Sequence, residues 1–132
     1  MARGVSTKDA RPAEILLVED DMTSGQLATT TLRGAGHTVR WVRSARDARA
    51  HLRERLPDLL VLDLTLEIDG LELLQALRFS PSDPRGGIVV LTEAGDTRGR
   101  ERAHQLGAAA VLAKPIRGPE LADAVNELAS WL

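Results

Sequence analysis

Residues 59–63 read Leu-Leu-Val-Leu-Asp, four apolar residues that end in a single carboxylate. A run this short and this apolar predicts a strand that is buried on both faces. Residues 15–18, 88–91 and 111–113 form three more apolar runs, and 38–42 predicts a fifth, more exposed strand. Strands with no polar alternation are typical of a parallel sheet covered on both sides.

The segments between and after these strands repeat their apolar residues with the period of a helix. Ser44 and Pro119 are residue types that begin helices, and Gly34 and Gly107 are typical of helix ends. The expected inward-facing positions are Leu27, Leu32, Ala45, Ala48, Leu52, Leu71, Leu74, Leu77, Leu121, Val125 and Leu128. Five strands alternating with five helices predict an α/β fold, a doubly wound five-stranded parallel sheet of flavodoxin-like (βα)5 type with strand order 2-1-3-4-5.

The chain has 132 residues, which fits one domain of ordinary size. We expect the domain to span 14–132, with 1–13 as a disordered leader or a remnant of cloning. Without cysteine, disulfides and thiolate metal sites are excluded. A net charge of -2 and only 2% aromatic residues argue against direct nucleic-acid binding. No apolar run approaches a membrane span, so we expect no membrane contact and a cytoplasmic location.

Chemically active side chains follow four of the five predicted strands. Ligands of doubly wound sheets bind beyond the carboxyl ends of the strands. These ends carry Glu19-Asp20-Asp21, Asp63, Thr92 and Lys114. Because strands 1 and 3 are neighbours in the predicted order, Glu19, Asp20 and Asp63 are expected to converge.

Three carboxylates in one crevice repel one another and need a compensating charge. An open, partly hydrated carboxylate site suits Mg²⁺. Lys114 adds a fixed positive charge and Thr92 adds a hydroxyl donor, so these groups predict a pocket for a phosphoryl group carried on a carboxylate. Asp21 is interpreted as a helix-capping acid and not as a metal ligand.

Four motifs stand in order along the chain, each at the end of a predicted strand: ILLVEDD, VLDL followed by IDGLELL, VVLT, and LGAAAVLAKP. Over residues 15–131 the chain resembles the receiver domain of two-component response regulators. The resemblance implies that Asp63 is the phospho-acceptor and that Glu19 and Asp20 are the metal-binding acidic pair.

The same resemblance implies roles for three further residues. Thr92 would be the switch hydroxyl, Lys114 the phosphate-binding lysine, and the backbone carbonyl of Thr65 would complete the Mg²⁺ shell. A domain of this kind is a signalling switch and not a turnover enzyme. It would take its phosphoryl group from a histidine kinase or phosphotransfer protein and signal to an output domain or partner protein. A homodimer through the last helices is a further expectation.

Three departures from the family pattern are expected to modulate the site. The stretch from Leu64 to Gly70 lacks the usual proline and is about one residue short. Glu93 stands where a small residue is usual, which places negative charge near an incoming phosphoryl donor. Val111 replaces the usual aromatic residue of the fifth strand. These changes predict an altered phosphorylation lifetime and an altered route to the output surface.

Alternative functions are kept open. A pseudo-receiver would bind partners without phosphorylation. A haloacid dehalogenase-type phosphatase also uses an aspartate after a strand, but it needs a second acid where Thr65 stands. A dinucleotide-binding enzyme would need G-x-G-x-x-G after the first strand, and three acids stand there instead.

Gly99 and Trp131 are interpreted as structural residues. Gly99 lies early in a helix that begins at Asp96 and Thr97, and glycine costs roughly 1 kcal/mol relative to alanine in a helix. Gly99→Ala is therefore expected to stiffen that helix. Trp131, at helical spacing from Leu128, is expected to lie in the core or in a dimer contact.

Overall fold

A computed structural model of the protein describes residues 11–66 and 69–132. The strands are β1 (Glu14–Val18), β2 (Thr38–Val42), β3 (Leu59–Asp63), β4 (Ile88–Thr92) and β5 (Ala110–Ala113). The helices are α1 (Met22–Gly34), α2 (Ala45–Glu54), α3 (Asp69–Leu77), α4 (Thr97–Gln105) and α5 (Gly118–Ala129). Strands and helices alternate from end to end, as the apolar pattern predicts.

All the strand pairs in the sheet are parallel, and the strand order is β2-β1-β3-β4-β5. The predicted fold class and strand order are therefore confirmed. β1 pairs with β2 on one side and with β3 on the other, so that Ile15 is opposite both Val39 and Leu59. Because the strands run in the same direction, the residues that follow them meet at one edge of the sheet.

The hydrophobic core forms two layers, one on each face of the sheet. Alternate residues of β1 divide between them, with Ile15 and Leu17 in one layer and Leu16 and Val18 in the other. Helices α1 and α5 cover the first layer, and α2, α3 and α4 cover the second. Burying each such aliphatic side chain stabilises the folded state by about 1.5–3 kcal/mol. This packing holds the strands, and therefore the residues that follow them, in place.

Some inward-facing positions were predicted wrongly. Leu27 is 41% exposed, because α1 packs through Gly25, Ala28 and Leu32 instead. Leu73 is fully buried in α3, whereas Leu71 is only partly buried. Trp131 is 81% exposed and follows the end of α5, so it does not lie in the core. A helical repeat fixes the spacing of the buried stripe but not its rotation about the helix axis.

The predicted leader falls largely on residues 1–10, which lie outside the described residues. Within its last three residues, Ala13 is buried and belongs to the packed domain. The Ala13 amide donates to Nδ1 of His37 over 3.0 Å, and its carbonyl accepts from the Thr38 amide. The ring of His37 also contacts Oδ1 of Asn126 in α5 over 2.7 Å, so its Nε2 is the nitrogen that donates.

Candidate functional site

The predicted site residues do meet at the carboxyl edge of the sheet. Glu19 follows β1, Asp63 ends β3, Thr92 ends β4 and Lys114 follows β5. Glu19 and Asp63 are fully buried, and Thr92 is 1% exposed. Polar side chains at this depth need partners or a ligand, because desolvating an unpaired polar group costs free energy.

The carboxylates of Glu19, Asp20 and Asp63 form a cluster. One oxygen from each residue lies within 4.8 Å of the other two. Glu19 and Asp63 form the buried floor, while Asp20 is exposed at the mouth. Oε2 of Glu19 is buried and accepts no hydrogen bond from the described residues, 11–66 and 69–132. Converging carboxylates with free lone pairs fit a hard divalent cation such as Mg²⁺.

Lys114 bridges the two buried carboxylates. Its Nζ lies 3.0 Å from Oε1 of Glu19 and 3.0 Å from Oδ2 of Asp63. Burial acts to lower the pKa of Lys114, but its hydrogen bonds to Asp63 and Glu19 and their negative charges outweigh this and raise it. The ammonium group is therefore held charged beside Asp63.

The Asp63 carboxylate is also held by Thr65. The Thr65 amide donates to Oδ1 over 2.8 Å. The Thr65 hydroxyl lies 2.6 Å from Oδ1 and 2.8 Å from Oδ2, so it can donate to either oxygen. Sequence reasoning assigned only the carbonyl of Thr65 and missed this hydroxyl. The tendency of aspartate to accept from the amide two residues later could have indicated the amide bond of Thr65, although not the contact with its hydroxyl.

Thr92 places a buried hydroxyl at the end of β4. Its Oγ1 is buried and has no hydrogen-bond partner in the part of the chain that the structure describes. Its carbonyl accepts from the Lys114 amide over 2.7 Å, which ties the ends of β4 and β5 together. Glu93 is exposed, and Val111 is half-buried against the core layer of α2, α3 and α4. Thr92 can thus donate to an acceptor that arrives at the site.

Asp21 caps α1, as the sequence predicted. Its Oδ2 accepts from the Ser24 amide over 2.8 Å, and this contact lowers the pKa of Asp21. Asp21 is therefore engaged in the helix, whereas its neighbours Glu19 and Asp20 face the cluster. The altered loop after Asp63 includes residues 67 and 68, which lie outside the described residues.

Metal binding at this cluster is expected to depend on pH. Burial and the neighbouring negative Asp63 carboxylate raise the pKa of Glu19 from 4.5 to about 7, and the contact with Lys114 opposes this only in part. A metal binds the ionised carboxylate, so below pH 7 it must displace a proton. Mg²⁺ affinity should therefore fall about tenfold from pH 8 to pH 6.

Isothermal titration calorimetry at the two pH values measures this change, and Glu19→Gln should bind more weakly with little pH dependence. Equal affinities of the unaltered protein at pH 6 and pH 8 would contradict the expectation.

The raised pKa of Glu19 also affects the stability of the metal-free protein. Between pH 4.5 and 7 the folded state retains a proton that the unfolded state loses, so the stability of the metal-free protein should fall as pH rises through this window.

No helix in residues 11–66 and 69–132 combines the length and the apolar character that crossing a bilayer requires.

Comparison of the sequence with a family model and comparison with individual proteins indicate the same family. The family model of the response regulator receiver domain matches residues 15–126. The phosphate regulon transcriptional regulatory protein PhoB of Rhizobium meliloti is 35% identical over 116 residues, covering 87% of this chain and 51% of that protein. The probable chemotaxis protein CheY of Rhizobium etli is 32% identical over 121 residues, covering 89% of this chain and 92% of that protein.

Solved structures agree with the sequence relatives. The signal receiver domain of a signal transduction histidine kinase from Syntrophus aciditrophicus is 33% identical, with a TM-score of 0.80 and coverage of 91% of this chain and 92% of that one. This chain thus spans about half the length of the PhoB relative and nearly the whole length of the CheY relative. The match over residues 15–126, together with the sheet order and the polar edge, shows that the chain belongs to the response regulator receiver domain family.

Proposed function

We propose that Asp63 accepts a phosphoryl group in a Mg²⁺-dependent reaction and that the domain works as a signalling switch and not as a turnover enzyme. The observation that carries this assignment is the setting of Asp63. Its buried carboxylate lies in a three-carboxylate cluster and 3.0 Å from the ammonium group of Lys114. A carboxylate held beside a cation, in a crevice suited to a second cation, can receive a highly charged group.

In the proposed step, one carboxylate oxygen of Asp63 forms a bond to phosphorus. The bond between phosphorus and the donor breaks, and the leaving group departs with the electron pair. The Thr65 hydroxyl contacts both oxygens of Asp63. It would release its hydrogen bond to the oxygen that reacts and keep its bond to the other. Lys114 remains close enough to hold a phosphoryl oxygen by a charge-assisted hydrogen bond.

The groups that would hold Mg²⁺ are the carboxylates of Glu19, Asp20 and Asp63 and the backbone carbonyl of Thr65. When bound, the ion supplies positive charge that offsets the negative charge gathered on the carboxylates and the phosphoryl oxygens. Two observations support the three carboxylates as ligands: Oε2 of Glu19 is buried without a partner among residues 11–66 and 69–132, and one oxygen of each carboxylate lies within 4.8 Å of the others.

Thr92 and Lys114 would register the arrival of the phosphoryl group. The hydroxyl of Thr92, which has no partner among the residues that the structure describes, would gain an acceptor. The β4 and β5 backbones are joined at this point by the bond from the Lys114 amide to the Thr92 carbonyl. Val111 has no ring to rotate into the space that Thr92 leaves, so the signal would pass through backbone movement. Exposed Glu93 would disfavour anionic donors and alter the lifetime of the phosphorylated state.

Membership of the family suggests which kinds of partner this domain has. We propose that a histidine kinase or a phosphotransfer protein supplies the phosphoryl group in the cytoplasm. The PhoB relative is a transcriptional regulatory protein, and the CheY relative is a probable chemotaxis protein. An output domain or a separate partner protein would therefore receive the signal. We further propose that the domain dimerises through its last helices and that it makes no direct contact with nucleic acid.

Incubation with acetyl phosphate tests the function directly. With Mg²⁺ the intact mass should rise by one phosphoryl group, and chelation of Mg²⁺ should prevent the gain. The bond should then hydrolyse slowly. Absence of any gain with Mg²⁺ would favour the pseudo-receiver, an alternative that the exposed charge of Glu93 supports. Steady turnover of small phosphate esters would favour a phosphatase of the haloacid dehalogenase type instead.

A further inference from the structure

The backbone of the acidic pair is held from the neighbouring edge strand. The Glu19 amide donates to the Val42 carbonyl over 3.0 Å. The indole Nε1 of Trp41 donates to the Glu19 carbonyl over 2.8 Å. Nη2 of Arg43 donates to the Asp20 carbonyl over 2.9 Å. Trp41 and Val42 of β2, together with Arg43 directly after the strand, therefore hold the backbone from which two of the three clustered carboxylates project.

The ring of Trp41 is confined to one place. It is half-buried against the core layer beneath α1 and α5. Its six-membered ring lies over Gly25 of α1, where an added Cβ would stand 1.9 Å from Cζ2 of Trp41. A glycine at this point of the helix is therefore what admits the ring. Packing against the helix and the core directs the indole N–H at the Glu19 carbonyl.

We propose that Trp41 is a positioning residue of the metal site. The inference rests on the proposed function, because it concerns the same Mg²⁺ ligands. Lys114 offsets part of the charge on Glu19 and Asp63, but without a metal ion the carboxylates of Glu19, Asp20 and Asp63 still repel one another, with one oxygen of each within 4.8 Å of the others. A free loop would relax outward, and binding would then have to restore the geometry. Trp41 holds the Glu19 backbone in the binding geometry before the ion arrives.

The direct test is Trp41→Phe, which keeps an aromatic ring and removes the N–H donor. The Mg²⁺ dissociation constant should rise about fivefold, as expected for the loss of one hydrogen bond. Trp131→Phe is the matched control, because it makes the same chemical change at a residue that is 81% exposed, and it should leave the constant unchanged. Both constants are measured by calorimetry well below the melting temperature of each variant. Equal affinity of Trp41→Phe and the unaltered protein overturns the positioning role.

A second measurement does not depend on the folding of Trp41→Phe. The chain has two tryptophans, so in Trp131→Phe all indole emission comes from Trp41. Because the indole N–H donates to the carbonyl of a proposed Mg²⁺ ligand, the charge of the bound ion should change this emission to saturation without movement of the ring, with the midpoint that calorimetry gives. Emission that stays constant while calorimetry records binding overturns the proposal. Failure of the unaltered protein to bind Mg²⁺ at all overturns the proposed metal function and this inference together, so the two failures are distinguishable.

Discussion

Asp63→Asn is expected to abolish the Mg²⁺-dependent gain of one phosphoryl group from acetyl phosphate. The amide has nearly the size of the carboxylate but lacks a nucleophilic oxygen anion, so the acceptor is lost while the buried position stays filled. Lys114 retains its contact with Glu19, which keeps the cation paired within the fold. Intact mass measured over a time course reads the result.

Asp96→Asn is a matched control for this loss. Asp96 is exposed and caps α4 by accepting from the Gly99 amide over 2.9 Å. Asparagine caps helices about as well as aspartate, so stability should be retained. We expect Asp96→Asn to gain the phosphoryl group as the unaltered protein does. Persistent labelling of a single site in Asp63→Asn would refute the assignment of the acceptor.

Asp20→Ala is expected to weaken Mg²⁺ binding at least tenfold. Two or three carboxylates with several waters make an incomplete cage, so each carboxylate carries a large share of the affinity. Asp21→Ala should bind Mg²⁺ as the unaltered protein does, because its side chain accepts from the Ser24 amide and serves α1. The melting temperature of Asp21→Ala should fall through loss of the cap. Titration calorimetry and thermal unfolding separate the two effects.

The metal-free protein supplies a further check on the cluster. Asp20→Asn removes one of three crowded negative charges, so its melting temperature without Mg²⁺ should rise. A clear fall would contradict mutual repulsion among these carboxylates. Similar losses of Mg²⁺ affinity in Asp20→Ala and Asp21→Ala would mean that the acidic pair is assigned one residue out of register.

Gly99 of α4 lies beside the residue that caps this helix. Gly99 alone suggests a weak point that Gly99→Ala would stiffen. In the structure an added Cβ would stand 2.3 Å from Oδ2 of Asp96, the residue whose carboxylate caps the helix at the Gly99 amide. The Asp96 carboxylate would have to shift to admit the added methyl group, so the gain in helix propensity is set against any weakening of the cap, and thermal unfolding of Gly99→Ala measures the balance. A propensity scale describes an average helix interior and carries no information about the neighbouring side chain.

The strands, their order and the residues at the carboxyl edge of the sheet could be predicted from the pattern of apolar and polar residues. Short apolar runs ending in Asp63 and Thr92 specify buried parallel strands, and parallel strands bring their carboxyl ends together. The convergence of Glu19, Asp20 and Asp63 was therefore predictable from the strand order, as was the cap at Asp21.

The contacts that hold the Glu19 backbone in place could not be predicted in this way, because they depend on packing between distant parts of the chain. Trp41 and Glu19 are 22 residues apart. Their contact depends on the register of β1 beside β2 and on the absence of a side chain at Gly25, which leaves room for the indole ring. Leu27 and Trp131 are apolar but exposed, because the rotation of α1 and the end of α5 follow from packing against the sheet. Apolar periodicity specifies which faces can be buried, whereas hydrogen bonds between distant residues require distances and directions that arise only when the faces are packed together.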